Sequence, residues 1–171
     1  HSLLSPFRMV CGNFILPEPA SYVFFYTVSN LRNLLYIISA EILQMSTNLN
    51  RATAMYKRLL DENVGNGYIL EVDSHPHCIA WWDTARDNDM PDYAELICIH
   101  SLQDNWRKGF GTQMMSRVMG DMRAAGYDKV MLWVFTNNIR ARKFYESFGF
   151  FTHGKVKPCL ETEEICYERK L

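Results

Sequence analysis

The sequence predicts one mixed α/β domain of the α+β type, with a partly antiparallel central sheet flanked by helices. Three observations carry that expectation. Two short β-rich runs, 68–72 and 78–82, are joined by Asp73-Ser-His-Pro-His77, a hairpin signal. The apolar run Leu96-Ile-Cys-Ile99 leads through a Gly-x-Gly turn into a helix-periodic stretch. Lys129-Val-Met-Leu-Trp-Val-Phe135 then repeats the order of strand and helix. No linker-like segment divides the 171 residues, so 1–171 reads as a single domain.

Taken in order, Phe7 to Cys11 is the first expected strand, with Gly12-Asn13 as its break. Ala20 to Leu31 is an aromatic-rich helix entered through Pro17-Glu-Pro19. Ser39 caps a short helix through Met45. A longer helix, Thr47 to Asp61, carries Leu49, Ala52, Met55 and Leu59 on one face. Asn63 to Gly67 is turn-like and opens the hairpin. The polar loop Asp83 to Asp92 leads into a strand over Tyr93 to Ser101. In the helix that follows, Phe110, Met114, Val118 and Met122 form a stripe with Met115 and Met119 beside it, and Gly126 ends it. After the 129–135 strand, Asn138 caps a helix from Ile139 to Phe148, which Gly149 stops. Phe150 to His153 and Glu164 to Arg169 close the chain as strands.

Bulk properties narrow the partners. A formal net charge of -1 is unlike the electrostatic footprint of a nucleic-acid binder, and no apolar run reaches membrane-spanning length. Five scattered cysteines fit reduced cytoplasmic thiols better than a disulfide framework. The N-terminal residues lack the basic-then-apolar pattern of a signal peptide, and the start at His1 leaves an appended or processed beginning open. His75-Pro-His77-Cys78 lacks further ligands at a recognisable spacing, so no metal is expected and a surface turn is.

The turn at 105–112 is a device for an anion. Gly109 and Gly111 let backbone approach closely, and the first amides of the helix they open have no intrahelical partner. No Gly-Lys-Ser/Thr follows, which excludes a Walker-type loop.

With these elements placed, the chain resembles the GNAT acetyltransferase superfamily, the acetyl-CoA-dependent N-acetyltransferases. Trp106-Arg-Lys-Gly-Phe-Gly111 matches the family's pyrophosphate loop, Gln/Arg-x-x-Gly-x-Gly/Ala. Asn138-Ile-Arg-Ala141-Arg-Lys-Phe144-Tyr145-Glu-Ser-Phe-Gly149-Phe150 matches Asn-x-x-Ala-x-x-Phe-Tyr-x-x-x-Gly-Phe throughout. The resemblance is strong from Tyr68 to Phe150, weaker over Leu35 to Leu60 and poor before that. Trp106 departs from the usual Gln or Arg, so the diphosphate contacts are expected from backbone amides of Arg107 to Thr112 and the Arg107 and Lys108 charges.

The resemblance implies further roles. Ile99, His100 and Ser101 would pair through their main chain with the pantetheine arm. Arg107, Lys108, Gly109, Phe110, Gly111, Thr112, Asn138, Arg140 and Phe144 would complete the cofactor site. Asn138 is both an expected cap and a candidate contact to the CoA arm. Tyr145 would protonate the departing thiolate, as a phenol of unperturbed pKa ~10 can. Glu95, spaced from Gly109 as in the histone-acetyltransferase branch, would either deprotonate the amine or only orient its ammonium. Trp82 and Asp92 join Glu95 as candidate acceptor contacts. Asp83, Asp87, Asp89 and Asp92 form either an acidic rim that gathers cations or an ordinary solvated loop. Cys98, without a basic partner, is a poor nucleophile.

The implied activity is acetyl transfer from acetyl-CoA to a small-molecule or peptide amine by direct attack in a ternary complex, with a cationic acceptor expected: a polyamine, an aminoglycoside-like amine, a peptide α-amine or a lysine. The alternative is a CoA-binding module without turnover. A homodimer is compatible with the sequence, and the expected location is cytoplasmic.

Overall fold

In the computed structural model, the described residues are 7–11, 37–46, 48–62, 64–73 and 75–171. They form seven strands and four α-helices: β1 (Phe7–Cys11), α1 (Ala40–Ser46), α2 (Leu49–Asp61), β2 (Asn66–Val72), β3 (His75–Thr84), β4 (Ala94–Ser101), α3 (Phe110–Ala124), β5 (Lys129–Phe135), α4 (Ile139–Ser147), β6 (Val156–Cys159) and β7 (Thr162–Lys170). The strands make one sheet in the order β1-β2-β3-β4-β5-β7-β6. Every neighbouring pair is antiparallel except β4 and β5. The expected helix 20–31 and the break at Gly12-Asn13 lie outside the described residues.

The core lies between the sheet and α3. All six residues of the stripe expected on that helix are buried: Phe110, Met114, Met115, Val118, Met119 and Met122. They pack on Leu70, Cys78, Ala80, Trp82, Ala94, Leu96, Val130 and Leu132 of the sheet. Met is unbranched and adaptable, which suits a helix laid across a twisted sheet. On the opposite face α2 contributes a smaller cluster, Ala52 and Tyr56 against Trp81.

Several element boundaries differ from expectation for local reasons. The α2 helix begins two residues later than expected because Asn48 is its cap, its Oδ1 accepting from Arg51 N at 3.0 Å. Its buried stripe is Ala52 and Tyr56, whereas Leu49 and Met55 are exposed. His75-Pro-His77 is not a surface turn but the start of β3. Asp73 turns the chain with φ 50°, and a register shift lets Pro76 pair with Glu71 where its missing N–H does no harm. Phe150 to His153 keeps only a bridge, Phe151 to Glu168, and the strand forms at Val156–Cys159 instead.

One irregularity governs the rest. Along β4, Trp82 pairs with Leu96 and Trp81 with Cys98, so Ile97 is an extra residue, a β-bulge. Side chains alternate faces along a strand, so the bulge shifts that alternation by one residue for everything after it. Leu96 faces α3, and after the bulge Ile99 and Ser101 share that face, while Cys98 and His100 turn to the side of α2. The parallel pairing of β4 with β5 covers only Ala94 with Val130 and Glu95 with Met131. Beyond it the two strands part, and a cleft opens between Ile99–Ser101 and the C-terminal half of β5.

Candidate active site

The cleft is closed below by the turn into α3 and on its far side by α4. Ile99 and Ser101, the 105–107 segment, Gly109 to Thr112, and Arg140, Ala141, Phe144 and Tyr145 line a cavity of about 270 Å³. Of the residues expected at the cofactor, nine meet here, Ile99, Ser101, Arg107, Gly109, Phe110, Gly111, Thr112, Arg140 and Phe144, together with the catalytic candidate Tyr145. Lys108 is exposed and lines neither this cavity nor the adjoining one. Asn105, buried, and Ala141 were not foreseen.

The turn is built to receive an anion. Arg107 and Gly109 both take left-handed backbone, φ 61° and 83°, and Gly109 is the N-cap of α3 without any side-chain cap. The first rung of the helix ladder is Gln113 N to Gly109 O at 3.0 Å, so the amides of Gly111 and Thr112 precede it. A Cβ on Gly109 would meet nothing within 4 Å, while one on Gly111 would touch the Phe144 ring at 3.4 Å. Gly109 is therefore needed for its backbone angle, whereas a side chain begun at Gly111 would rest in ordinary contact with Phe144 and face the cleft. A diphosphate matches this donor set in charge and in size.

Trp106 occupies a place unlike that of a polar side chain. Its indole Nε1 donates to Ser101 O at 3.1 Å, and the Arg140 guanidinium lies 3.4 Å above its ring. The pair spans the cleft from β4 to α4. Asn138 caps α4, its Oδ1 accepting from Ala141 N at 3.2 Å. Tyr145 is buried, with its ring against Phe144 and Phe150. Burial raises its phenol well above the ordinary tyrosine range, so it stays protonated.

A second cavity, about 580 Å³, adjoins the first on the α2 side and shares Ile99, Arg140, Ala141 and Tyr145 with it. Trp81 forms one wall, held flat by two glycines. A Cβ on Gly67 would lie 2.5 Å from the Trp81 ring and one on Gly65 2.4 Å from its Nε1, so only glycine admits the indole there. The same bulge that turns Ile99 toward the cofactor cleft turns Cys98 and His100 into this cavity. Burial pushes the His100 imidazole down to about 4 and the Cys98 thiol up to about 12, leaving both neutral.

Three expected acceptor contacts need correction. Trp82 belongs to the core and lines neither cavity, with its Nε1 donating to Tyr68 Oη at 3.0 Å. Its neighbour Trp81 is the wall. Asp92 is exposed and lines neither cavity. Glu95 also lines neither, since its side chain is 4% exposed and both oxygens are engaged by Arg86. Arg86 Nε and amide N each reach Oε2 at 3.0 Å, and Nη2 reaches Oε1 at 2.7 Å. Burial opposes the charge of Glu95, but these hydrogen bonds outweigh it and hold the carboxyl below its ordinary range. Part of the acidic rim is paired on the surface, with Lys155 Nζ bridging Asp87 and Asp89 at 2.9 and 3.3 Å.

Residues 35–150 match the sequence model of the Acetyltransferase (GNAT) family. The chain belongs to the GNAT acetyltransferase family. No curated protein sequence matches it significantly. Among solved structures, PaiA N-acetyltransferase from Thermoplasma acidophilum, in complex with coenzyme A, superposes with a TM-score of 0.72 at 15% identity, covering 96% of this chain and 99% of that one. YncA from Salmonella typhimurium, solved with acetyl-CoA, gives 0.71 at 12% identity, covering 97% and 94%. The ribosomal-protein-S18-alanine N-acetyltransferase from Escherichia coli gives 0.64 at 14% identity, covering 96% and 93%. At these identities the likeness is one of fold, and the mixed sheet with flanking helices is the fold of this family. GNAT members are acyltransferases with acetyl-CoA as co-substrate. No helix among the described residues is long and apolar enough to cross a membrane.

Proposed function

We propose that this GNAT member is an N-acetyltransferase that passes acetyl from acetyl-CoA to an amine by direct attack within a ternary complex. The observation that carries the reading is the junction of the two cavities at Ile99, Ala141 and Tyr145, where a thioester and an acceptor can meet without an intervening nucleophile. Cys98 stands near that junction, but a thiol pushed up to about 12 supplies no thiolate for a covalent relay.

Acetyl-CoA would supply an activated acyl group, its diphosphate held by the amides of the 107–112 turn and its arm laid along Ile99 and Ser101. In the transfer, nitrogen bonds to the acyl carbon as the carbon–sulfur bond breaks. Tyr145, kept protonated by burial, would deliver a proton to the sulfur. Glu95 is poorly placed for the other proton, because its carboxylate is buried and bound to Arg86. Its proposed role is to fix Arg86 beneath the acceptor cavity. Asp83 and Glu164 are the carboxylates that line this cavity, and the ammonium proton would leave through them or through water. Holding both substrates at one junction supplies most of the rate advantage.

Acceptor-dependent release of free thiol from acetyl-CoA tests the reading. A second reading, a CoA-binding module without turnover, is favoured by Trp106, whose indole already takes the Ser101 carbonyl. Tight CoA binding with no thiol release for any amine would establish that module and refute the transferase.

A further inference from the structure

We infer that the acetyl acceptor is a small primary amine carried on an apolar, aromatic-sized body, not a polyamine or an aminoglycoside. This rests on the N-acetyltransferase reading and deepens it. The described surface exposes nine large hydrophobic side chains, and four of them, Met55, Val64, Ile97 and Leu160, line the second cavity. Exposed apolar groups gathered around one concavity mark a place where an apolar partner is received. Deeper in, the walls are the Trp81 and Trp133 indoles. Trp81 is fixed by the glycines beneath it and by Tyr56, whose ring centroid lies 6.0 Å away. A rigid aromatic wall binds an apolar body with little loss of side-chain freedom.

The charges at the other end admit one ammonium and little more. Asp83, Glu164 and the buried Glu95 bring three negative charges to the surroundings of Arg86. Arg86 is bound to Glu95, and Lys157 lies 3.6 Å from Glu164, so the five groups sum to one negative charge. One ammonium balances that sum. Lys157 also sits over the Trp133 ring at 4.0 Å, so a cation of the protein itself already takes that place on the ring. The remaining cations, Arg140 at the cofactor end and Arg58 on α2, oppose a chain of further positive charges. A polyamine would bring two or three surplus charges against apolar walls, where each loses its water without a counter-charge.

The test compares phenethylamine with spermidine at saturating acetyl-CoA, by kcat/KM from thiol release. Phenethylamine should be preferred by at least roughly tenfold, the discrimination a well-filled apolar pocket provides. Leu160→Glu, at the exposed hairpin tip that lines this cavity, should lower the ratio of kcat/KM for phenethylamine to that for spermidine about fivefold or more. Phenethylamine titrated into the CoA complex should change tryptophan emission saturably, with weaker affinity in Leu160→Glu. Equal or better turnover of spermidine in the wild-type protein would overturn the inference while leaving the transferase reading intact. Absence of thiol release with every amine would instead remove the transferase reading, and this inference with it.

Discussion

The Arg86–Glu95 pair is asymmetric, and its two halves should fail differently. Glu95 has 4% of its side chain exposed and Arg86 has 66%. Removing the carboxylate with Glu95→Gln leaves an arginine that water can solvate, so the cost is that of lost charge-assisted hydrogen bonds, about 1.5–3 kcal/mol. Arg86→Ala leaves a buried carboxylate with no partner, for which about 3–5 kcal/mol is expected. At about 2–4 °C per kcal/mol for a chain of this size, Arg86→Ala should melt roughly 6–20 °C below wild type, and Glu95→Gln clearly less.

The deficits should also differ in pH dependence. In the wild type the Glu95 carboxyl is held below its ordinary range, so its stabilisation is present above the unfolded pKa and lost as pH falls through the folded one. Without Arg86, burial alone acts and raises the folded pKa above the unfolded value. The deficit of Arg86→Ala should therefore be full above the raised pKa and shrink as pH falls from there toward the unfolded value, below which the variant's carboxyl is largely neutral in both states. Thermal melts of both variants and the double variant between pH 4 and 8 would measure this, with the double variant recovering most of the Arg86→Ala loss. A Glu95→Gln deficit equal to or above that of Arg86→Ala, or one for Arg86→Ala independent of pH, would refute the argument. The same preparation decides the proton question. Glu95→Gln should retain kcat within about tenfold, whereas an essential base typically costs about two to four orders of magnitude.

Three further outcomes follow from the site. Tyr145→Phe should lower kcat by roughly one to three orders of magnitude with acetyl-CoA affinity nearly unchanged, measured by steady-state kinetics and CoA titration. Equal loss of both would make Tyr145 a packing residue. Because burial raises the Tyr145 phenol, kcat should show no alkaline decline below about pH 10, and a decline at pH 8–9 that vanishes in Tyr145→Phe would contradict that. Gly67→Ala should displace the Trp81 indole, raising KM for the acceptor several-fold more than KM for acetyl-CoA.

Much of the fold was legible because its signals are local. The α3 stripe repeats at helical spacing and is buried as read, and Asn138 caps α4 as its position before an apolar-periodic run suggested. The cofactor side of the site follows from such local devices, since one turn and one helix start carry most of it. The acceptor side was not legible. Glu95 has the spacing of a site residue, but its surroundings depend on where Arg86 folds back. Trp81 and Trp82 look interchangeable in sequence, and only the sheet assigns one to the cavity and the other to the core. Gly65 and Gly67 read as a turn, yet Gly67 lies in β2 because its strand partner is Trp81. His100 was expected to act through its main chain, and the side its imidazole takes depends on the extra residue at 97, which no local pattern reveals.

That extra residue works like a shim that resets the phase of the strand. Deleting Ile97 would close the bulge and leave Leu96 against Trp82 and Cys98 against Trp81, so the tenants of both faces from 98 to 101 would stay where they are. Straightening the strand without shortening it would instead move Cys98 and His100 to the cofactor face, and Ile99 and Ser101 to the acceptor face. The strand should therefore tolerate loss of Ile97 better than the gain of a residue just after it, which swaps both faces. An insertion–deletion scan along β4 would read that difference as activity.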